Sequence, residues 1–435
     1  MTKWLPGRSA ICLVLAAALC AAGTWLYAGR VMIPAQVAYA RANGLPRGNS
    51  SDLYPRWLGS RELLLHGRDP YSMEITRQIQ VGFYGRPLPP DRPGLEQNYQ
   101  QGFYYPVYVA FLLAPTLDLP FDKVRKGFFW VLLLLTAVTV PLWLRIVQWP
   151  LEPWRQAAVV VLMVGCLPVM QGLKLQQMTL LAAAMLAAAM VLLASDWPVP
   201  AGILLALATI KPQLVWLVLA WLAVWTLADW RRRYRWAASF AVTMAILCAA
   251  SEWYLPHWIA RFWQAIREYH SYTGEKSTME MLIGPVSRVL ELSAVAVVVV
   301  AGWRSRREGA GTGAFAFTVS LVLAVTVLVV PGYGPYNQAL LLPALLLMAK
   351  ERRIIWQASA VDRALCVITV CLIGWPWFTG IVLSALSFIL PAQAVEKGSL
   401  IPVWTSLYIP VVVAASMLLA ARRRTFGASR KVAAS

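Results

Sequence analysis

Residues 175–194 read LQQMTLLAAAMLAAAMVLLA, a run of 20 residues that contains no Asp, Glu, Lys or Arg. A helix needs about 20 apolar residues to cross the hydrocarbon core of a bilayer, which is roughly 30 Å thick. Only helices and closed barrels satisfy every backbone amide in lipid. No run in the chain shows the alternation over about 10 residues that is typical of a barrel strand. The run therefore predicts a transmembrane helix.

Similar uncharged runs recur along the whole chain. Of its 435 residues, 59% are hydrophobic and only 14% are charged, whereas soluble domains carry about 25% charged residues. We therefore predict an all-α polytopic membrane protein, with residues 1–435 as a single transmembrane domain of about 12 spanning helices. The expected spans are 9–28, 104–120, 126–147, 155–171, 175–194, 198–228, 236–255, 283–303, 313–331, 335–350, 361–384 and 401–421.

Segment 198–228 allows two interpretations. It is long for one helix, and Lys211 and Pro212 lie at its middle. If it forms two helices, segment 104–120 has to be re-entrant instead of spanning, because otherwise the later basic loops would not be on the cytoplasmic side. That arrangement places the basic segment 123–126 outside, against the usual charge bias. We therefore favour one helix at 198–228 and a spanning helix at 104–120.

The formal net charge of +19 is concentrated at predicted helix ends. Cytoplasmic loops carry an excess of Lys and Arg, so these loops and both termini are predicted to be cytoplasmic. No basic run is interleaved with exposed aromatic residues in a soluble segment, so we expect no nucleic-acid binding. The basic residues are Arg231, Arg232, Arg233, Arg235, Arg304, Arg306, Arg307, Lys350, Arg352, Arg353, Arg422, Arg423 and Arg424.

Two long loops are predicted on the outer face, 29–103 and 256–282. Connections of such length are usually functional or disordered. In the first loop, apolar residues at 53, 57 and 64 and at 54, 58 and 65 have helical spacing, and a weaker helix follows over 72–81. We predict that both are amphipathic helices in the outer interface, and that the second loop carries an amphipathic surface helix. The first loop ends in an aromatic cluster of Tyr99, Phe103, Tyr104 and Tyr105.

The chain lacks the motifs of common soluble enzymes, such as GxxxxGK[ST], HExxH and GxSxG. Its three histidines, His66, His257 and His270, are too scattered to predict a metal site. We predict no cofactor, and the sequence leaves metal dependence open.

Two carboxylates of the first outer loop have two interpretations each. Asp52 opens the first amphipathic helix and is either its N-cap or a general base held at the membrane face. Asp69 precedes Pro70 and either caps the next helix or belongs to a rigid turn that shapes a site.

Two lysines lie within or between apolar runs. A lysine inside a spanning segment is costly and is a functional hypothesis by default, which applies to Lys211. Both lysines have the alternative of extending to the interface, and this alternative fits Lys174 better than Lys211. The polar break 331–338 is either a simple turn or part of a site.

Several short motifs follow one another along the chain. They are Asp52-Leu53, Gly67-Arg68-Asp69-Pro70-Tyr71, Phe103-Tyr104-Tyr105-Pro106, Ala114-Pro115, Gln176-Gln177, Ala208-Thr209-Ile210-Lys211-Pro212-Gln213, and Gly334-Pro335-Tyr336-Asn337 through Pro343. Their order resembles that of the integral-membrane glycosyltransferases of family 87. Three departures from the family pattern are Gln176 where members often have Gly, Val107 where a second Pro is common, and Tyr336-Asn337-Gln338 where His or an acid is common.

The resemblance implies a GT-C fold and transfer of a mannose-like hexose from a polyprenyl-phosphate donor. It implies inversion at the anomeric carbon, with Asp52 as the catalytic base and no covalent enzyme intermediate. It also implies an acceptor hydroxyl on a glycolipid, glycan or protein, at the outer face of a bacterial cytoplasmic membrane. A cation supplied by Lys211, Lys174 or Arg68 would stabilise the leaving phosphate. The expected substrate-binding residues are Arg68, Asp69, Tyr71, Lys174, Gln177, Lys211, Gln213, Tyr336 and Asn337.

Two other functions remain as alternatives. The first is a transporter or flippase, a class that often shows broken helices at mid-membrane. The second is an assembly protein of the cell envelope without activity.

Overall fold

A computed structural model describes residues 8–46, 51–88, 101–274, 276–332 and 334–432. Tyr99 of the predicted aromatic cluster and Tyr333 of the polar break lie outside these residues. All regular structure within them is helical. The first half contains α1 (Arg8–Tyr27), a π-helix (Ala28–Met32), α2 (Ile33–Ala42), α3 (Leu53–His66), α4 (Met73–Tyr84), α5 (Val109–Leu113), a 3-10 helix (Ala114–Thr116), α6 (Phe121–Ile146), α7 (Pro153–Gly165), α8 (Leu167–Lys174), α9 (Met178–Ala194) and α10 (Pro198–Ala208).

The second half continues from α11 (Pro212–Leu227) to the C-terminal helix. Two further 3-10 helices interrupt the α-helices of this half, and both begin at a glycine or a proline. The elements are α12 (Trp230–Tyr254), α13 (Trp258–Thr273), α14 (Thr278–Ile283), a 3-10 helix (Gly284–Val286), α15 (Ser287–Ser305), α16 (Gly313–Val329), a 3-10 helix (Pro335–Leu341), α17 (Leu342–Lys350), α18 (Arg352–Ala358), α19 (Ala360–Leu386), α20 (Ala392–Glu396), α21 (Ile401–Ser406) and α22 (Tyr408–Val432).

Six helical segments of the described chain are long and apolar enough to cross a membrane. The pair α7 and α8, bent by 60°, makes a seventh if it is one span, and α9, α10, α11 and α16 are apolar but shorter. The protein is therefore an all-α membrane protein, and the count of about 12 spans stays a prediction. The six segments are Ala10–Ala42, Phe121–Ile146, Trp230–Tyr254, Thr278–Ser305, Ala360–Leu386 and Ala392–Arg423.

The predicted spanning helix at 104–120 is wrong. The structure has only the five-residue α5 and one 3-10 turn in this segment. Pro106, Pro115 and Pro120 explain the difference, because each lacks the amide proton that a continuing helix needs.

Segment 198–228 is two helices, so the favoured single helix is wrong and the alternative is correct. The break falls at Lys211, whose backbone (φ −123°, ψ 75°) is outside the helical region. A proline pushes the residue before it out of the α conformation, and Pro212 itself is well suited to the first turn of α11.

Helix α10 packs mainly against α9 and α12, and a short turn at 209–211 connects it to α11. At this turn, Lys211 contacts Gln177 and Thr179 at the start of α9. At the far end of α11, the hydroxyl of Thr226 accepts a hydrogen bond of 2.8 Å from Trp236 of α12. The turns that precede α9 and α11 therefore meet at one end of the bundle. Because Asp52 also contacts Gln177, we call this the Asp52 end.

The opposite end carries most of the basic clusters, and we call it the arginine end. There Lys350 donates to the carbonyl of Val147 at 2.7 Å. Arg233 donates to the carbonyl groups of residues 306–308. Cytoplasmic loops are rich in Lys and Arg, so this distribution favours the arginine end as the cytoplasmic side.

The first outer loop begins later than predicted. Helix α1 continues through the π-helix into α2, so the helical segment extends to Ala42 instead of ending near 28. The two helices predicted within the loop are present as α3 and α4. The second loop contains α13, which buries Trp258 and Ala265 against the protein and exposes Ile259 and Trp263. The position of these helices in the membrane interface stays a prediction.

The largest hydrophobic core surrounds α9, α11 and α16. Almost every residue of α16 is buried, including Leu321, Val322 and Leu323. A second core lies below the first outer loop, where Leu53 and Trp57 of α3 pack against the segment 103–113. This second core fixes the first turn of α3, and with it Asp52, against the membrane helices.

Candidate active site

Asp52 stands at the start of α3 but does not cap it. Its side chain forms no capping hydrogen bond, so the N-cap interpretation is wrong. Instead, the side-chain amide of Gln177 donates to Asp52 Oδ2, and the Asp52 amide donates to the carbonyl of Leu175 at 2.9 Å. Within the described residues the other carboxylate oxygen forms no hydrogen bond. Asp52 is thus a half-buried carboxylate with one oxygen held and one available.

A chain of buried polar groups continues from Gln177. Gln177 Oε1 accepts a hydrogen bond of 3.2 Å from Lys211 Nζ. Lys211 Nζ also lies 2.5 Å from Thr179 Oγ1, which in turn lies 3.1 Å from Asn337 Oδ1. A lysine can only donate and an ionised carboxylate can only accept. The amide of Gln177 therefore has one satisfactory orientation, with its nitrogen towards Asp52 and its oxygen towards Lys211.

Lys211 is the cation of this hydrogen-bonded series and is buried, with 7% of its surface exposed. Its Nζ lies 4.9 Å from the centre of the Tyr336 ring. A buried ammonium is costly unless its protons are satisfied, and hydrogen bonds together with a cation–π contact supply that compensation. The predicted residues Gln177, Lys211, Tyr336 and Asn337 thus meet Asp52 in one cluster.

Gln176 holds the turn between α8 and α9 in a left-handed conformation, with φ of 49°. In the family that the sequence resembles, this position is often glycine, which adopts the left-handed conformation without strain. Its side chain compensates through three hydrogen bonds. Ser51 Oγ donates to Gln176 Oε1 at 2.7 Å, and Gln176 Nε2 donates to the carbonyls of Leu173 and Lys174.

Replacements at Gln176 test this explanation. Alanine keeps the strain of a left-handed residue, roughly 1–2 kcal/mol, and removes the three hydrogen bonds. Glycine removes the hydrogen bonds but also the strain. We therefore expect Gln176→Ala to unfold at a lower temperature than Gln176→Gly in detergent melting curves. An alanine variant at least as stable as the glycine variant would contradict the explanation.

Arg56 is a further charged group at the Asp52 end, and the sequence analysis did not single it out. It lies four residues after Asp52, a spacing that places both on one face of α3. Its guanidinium lies 4.4 Å from the centre of the Tyr105 ring. Burial acts to lower the pKa of Arg56, but Tyr105, Asp52 and two further tyrosines raise it above its usual value. The spacing of four from an acidic residue was the available signal.

Asp69 and Tyr71 support the site from outside the cluster. Asp69 Oδ1 accepts from the Tyr71 amide at 2.9 Å, and its other oxygen pairs with Arg261 of α13. Ser72, not Asp69, caps α4, so the cap interpretation of Asp69 is wrong. The Tyr71 hydroxyl donates to the carbonyl of Tyr105 at 2.6 Å. The turn therefore connects both outer loops to Tyr105.

Three further predicted site residues, besides Asp69 and Tyr71, lie outside the cluster. Arg68, at the far end of α3, pairs with Glu62 and with Glu74, the latter at 3.0 Å. Gln213 is exposed in the first turn of α11. Lys174 ends α8, two residues before Gln176, and is partly buried. In the described part of the chain, no three His, Cys, Asp or Glu residues are grouped as metal ligands.

The model of glycosyltransferase family 87 matches residues 103–331 of the chain, which is more than half of its length. The chain belongs to glycosyltransferase family 87. The matched residues include Gln177, Thr179 and Lys211 of the cluster, whereas Asp52 precedes them and Asn337 follows them. No curated protein and no solved structure gives a significant match.

Membership in family 87 makes this protein a membrane glycosyltransferase. It favours an enzyme over the transporter and the assembly protein considered above. An enzyme of this class needs a lipid bilayer, a sugar donor and an acceptor, and the cluster at the Asp52 end is its candidate active site.

Proposed function

We propose that this family 87 enzyme transfers a mannose-like hexose from a polyprenyl-phosphate donor to an acceptor hydroxyl, with inversion at the anomeric carbon. The observation that supports it best is the state of Asp52. One carboxylate oxygen is held by Gln177, and the other is not hydrogen-bonded within the described residues. A general base needs this combination of fixed position and an available oxygen.

The proposed reaction is a single displacement. The acceptor oxygen attacks the anomeric carbon, and its proton passes to the available oxygen of Asp52. The bond between the anomeric carbon and the phosphate oxygen breaks, and its electron pair leaves with the polyprenyl phosphate. Charge builds on that phosphate as the bond breaks, so a nearby fixed cation stabilises the transition state.

The charge distribution supports a site on the outer face of a bacterial cytoplasmic membrane. The arginine end fits the cytoplasmic side, and the Asp52 end is opposite to it. Nucleotide sugars are not available outside that membrane, so a donor there has to arrive linked to a lipid. Its phosphate would lie at headgroup depth, where α3 and the turns before α9 and α11 meet. The acceptor, a glycolipid, glycan or protein, stays open.

A transfer assay tests the proposal. Purified full-length protein is incubated with a radiolabelled polyprenyl-phosphate hexose and a membrane lipid extract as a source of acceptors. We expect release of free polyprenyl phosphate together with a new labelled product, and neither without protein. Absence of both with mannose and with other hexose donors would refute the donor class.

A further inference from the structure

The guanidinium of Arg56 has N–H donors for which the described residues provide no carboxylate or carbonyl acceptor. The guanidinium carries five N–H groups, yet it forms no ion pair with a carboxylate of the described residues, Asp52 included. Its closest recorded contact is the face of Tyr105. Arg233 at the arginine end is different, since carbonyl groups from two segments surround its guanidinium. Nearby groups stabilise the charge of Arg56, but no described carboxylate forms an ion pair with it.

Tyr105 adds a second unused donor at the same place. Its side chain is 5% exposed, and its hydroxyl proton has no acceptor within the described residues. The hydroxyl oxygen lies close enough to the Arg56 guanidinium for that group to act on the pKa of Tyr105. A buried polar atom without a partner is unfavourable, and a bound acceptor would remove that cost. Burial raises the pKa of Tyr105, so the hydroxyl stays protonated and is available to donate. Guanidinium and hydroxyl together favour an oxyanion as the missing ligand.

Lys211 is less suited to that ligand. Its ammonium already contacts Gln177 Oε1 and Thr179 Oγ1 and lies over the Tyr336 ring. These contacts direct it towards the amide that holds Asp52. Its position therefore fits a role in orienting Asp52.

We propose that Arg56 and the Tyr105 hydroxyl form a binding subsite for the phosphate of a lipid substrate, whereas Lys211 is a positioning residue for Asp52. The inference rests on the proposed function. The spacing of Asp52 and Arg56 agrees with it, since residues four apart on a helix have Cβ atoms roughly 6 Å apart. If the donor sugar lay between them, the acceptor hydroxyl that attacks the anomeric carbon would be next to Asp52. The phosphate that leaves would be next to Arg56.

Binding measurements with purified full-length protein in detergent test the subsite directly. Undecaprenyl phosphate is titrated while intrinsic tryptophan fluorescence is followed, and phosphatidylglycerol is titrated in parallel. We expect Arg56→Gln to weaken undecaprenyl phosphate binding at least 10-fold. Arg56→Lys should recover part of that loss, because lysine keeps the charge but not the bidentate geometry. Tyr105→Phe should weaken binding about 3-fold or more.

Arg77→Gln is the matched control, since Arg77 is an exposed arginine on α4 of the same loop. It should bind undecaprenyl phosphate like the unmodified protein. Unchanged binding in both Arg56 variants would overturn the proposal. A loss confined to phosphatidylglycerol would overturn the assignment to the polyprenyl lipid and place a phospholipid phosphate there. Melting curves of both Arg56 variants check that each retains the fold of the unmodified protein.

Steady-state kinetics separate this inference from the proposed function. Arg56→Gln should raise the KM for the donor more than it lowers kcat. If the unmodified protein transfers sugar but Arg56→Gln has unchanged KM, the subsite is wrong and the proposed function stands. If the unmodified protein transfers no sugar but Arg56→Gln still loses undecaprenyl phosphate binding, the proposed function is wrong and the subsite stands.

Discussion

Asp52→Asn is expected to lower the rate of sugar transfer by about 10²–10⁴-fold, the usual contribution of a general base. Asparagine has the same shape, and its carbonyl oxygen can still accept the hydrogen bond from Gln177. It cannot take the proton of the acceptor hydroxyl. The loss should therefore appear in kcat, measured as polyprenyl phosphate released under saturating donor, while the melting temperature of the purified protein stays unchanged.

Asp118→Asn is the control for the loss of a carboxylate at this end of the bundle. Asp118 is exposed and lies in the short segment before α6. Its replacement should leave the transfer rate unchanged. The catalytic assignment fails if Asp52→Asn, expressed and folded like the unmodified protein, retains full transfer.

Lys211→Met is expected to have the second largest effect, a fall in kcat of about 100-fold. The methionine fills the space of the lysine stem but removes the ammonium that fixes Gln177 Oε1 and Thr179 Oγ1. Asp52 then loses the oriented amide that holds it, and a displacement of about 1 Å in a reacting group can cost about 100-fold in rate. The KM for the donor should change little, in contrast to Arg56→Gln.

The effect on stability should be small because two contributions oppose each other. Leaving Gln177 and Thr179 without their donor costs about 1–3 kcal/mol for each buried group, whereas removing a buried ammonium also removes its desolvation cost. Lys350→Met is the control, since Lys350 loses one carbonyl contact at the arginine end. A Lys211→Met enzyme with normal kcat, or with a loss only in donor KM, would contradict the positioning role.

Much of the candidate site could be predicted from the sequence. Asp52, Gln177, Lys211 and Asn337 each stand at a polar break between apolar segments, and the structure places all four in one hydrogen-bonded chain. Such breaks converge because a polar group at membrane depth needs a polar partner. Residue type and position along the chain were therefore sufficient to identify these four.

Which site residues contact each other depends on the direction in which each helix crosses the membrane. The hydropathy pattern did not predict these directions correctly. With one helix at 198–228 and a span at 104–120, Gln177 would lie on the side opposite to Asp52. The structure has no spanning helix at 104–120. Helix α9 therefore begins at the Asp52 end, where Gln177 contacts Asp52. Prolines in these segments indicate where the helices break. Pro106, Pro115 and Pro212 interrupt apolar runs whose length alone predicts continuous helices.

Two members of the site could not be recognised from residue type. Arg56 has the sequence context of an ordinary charged residue on an amphipathic helix, and Thr179 lies inside a long uncharged run. Their roles follow from what lies opposite, which is Tyr105 for Arg56 and Lys211 for Thr179. Such pairings join residues far apart in the chain and become visible only in three dimensions.

The site is assembled from the ends of helices, and this limits where insertions and deletions are tolerated in the chain. Helices α9 and α10 run from the site to the arginine end and back, and they carry Thr179 at one end and Lys211 just beyond the other. Deleting one residue inside either helix would shift its end by about 1.5 Å and rotate it by about 100°. We therefore expect homologous chains to differ by insertions and deletions in arginine-end connections such as 306–312, and to keep the lengths of α9 and α10 constant.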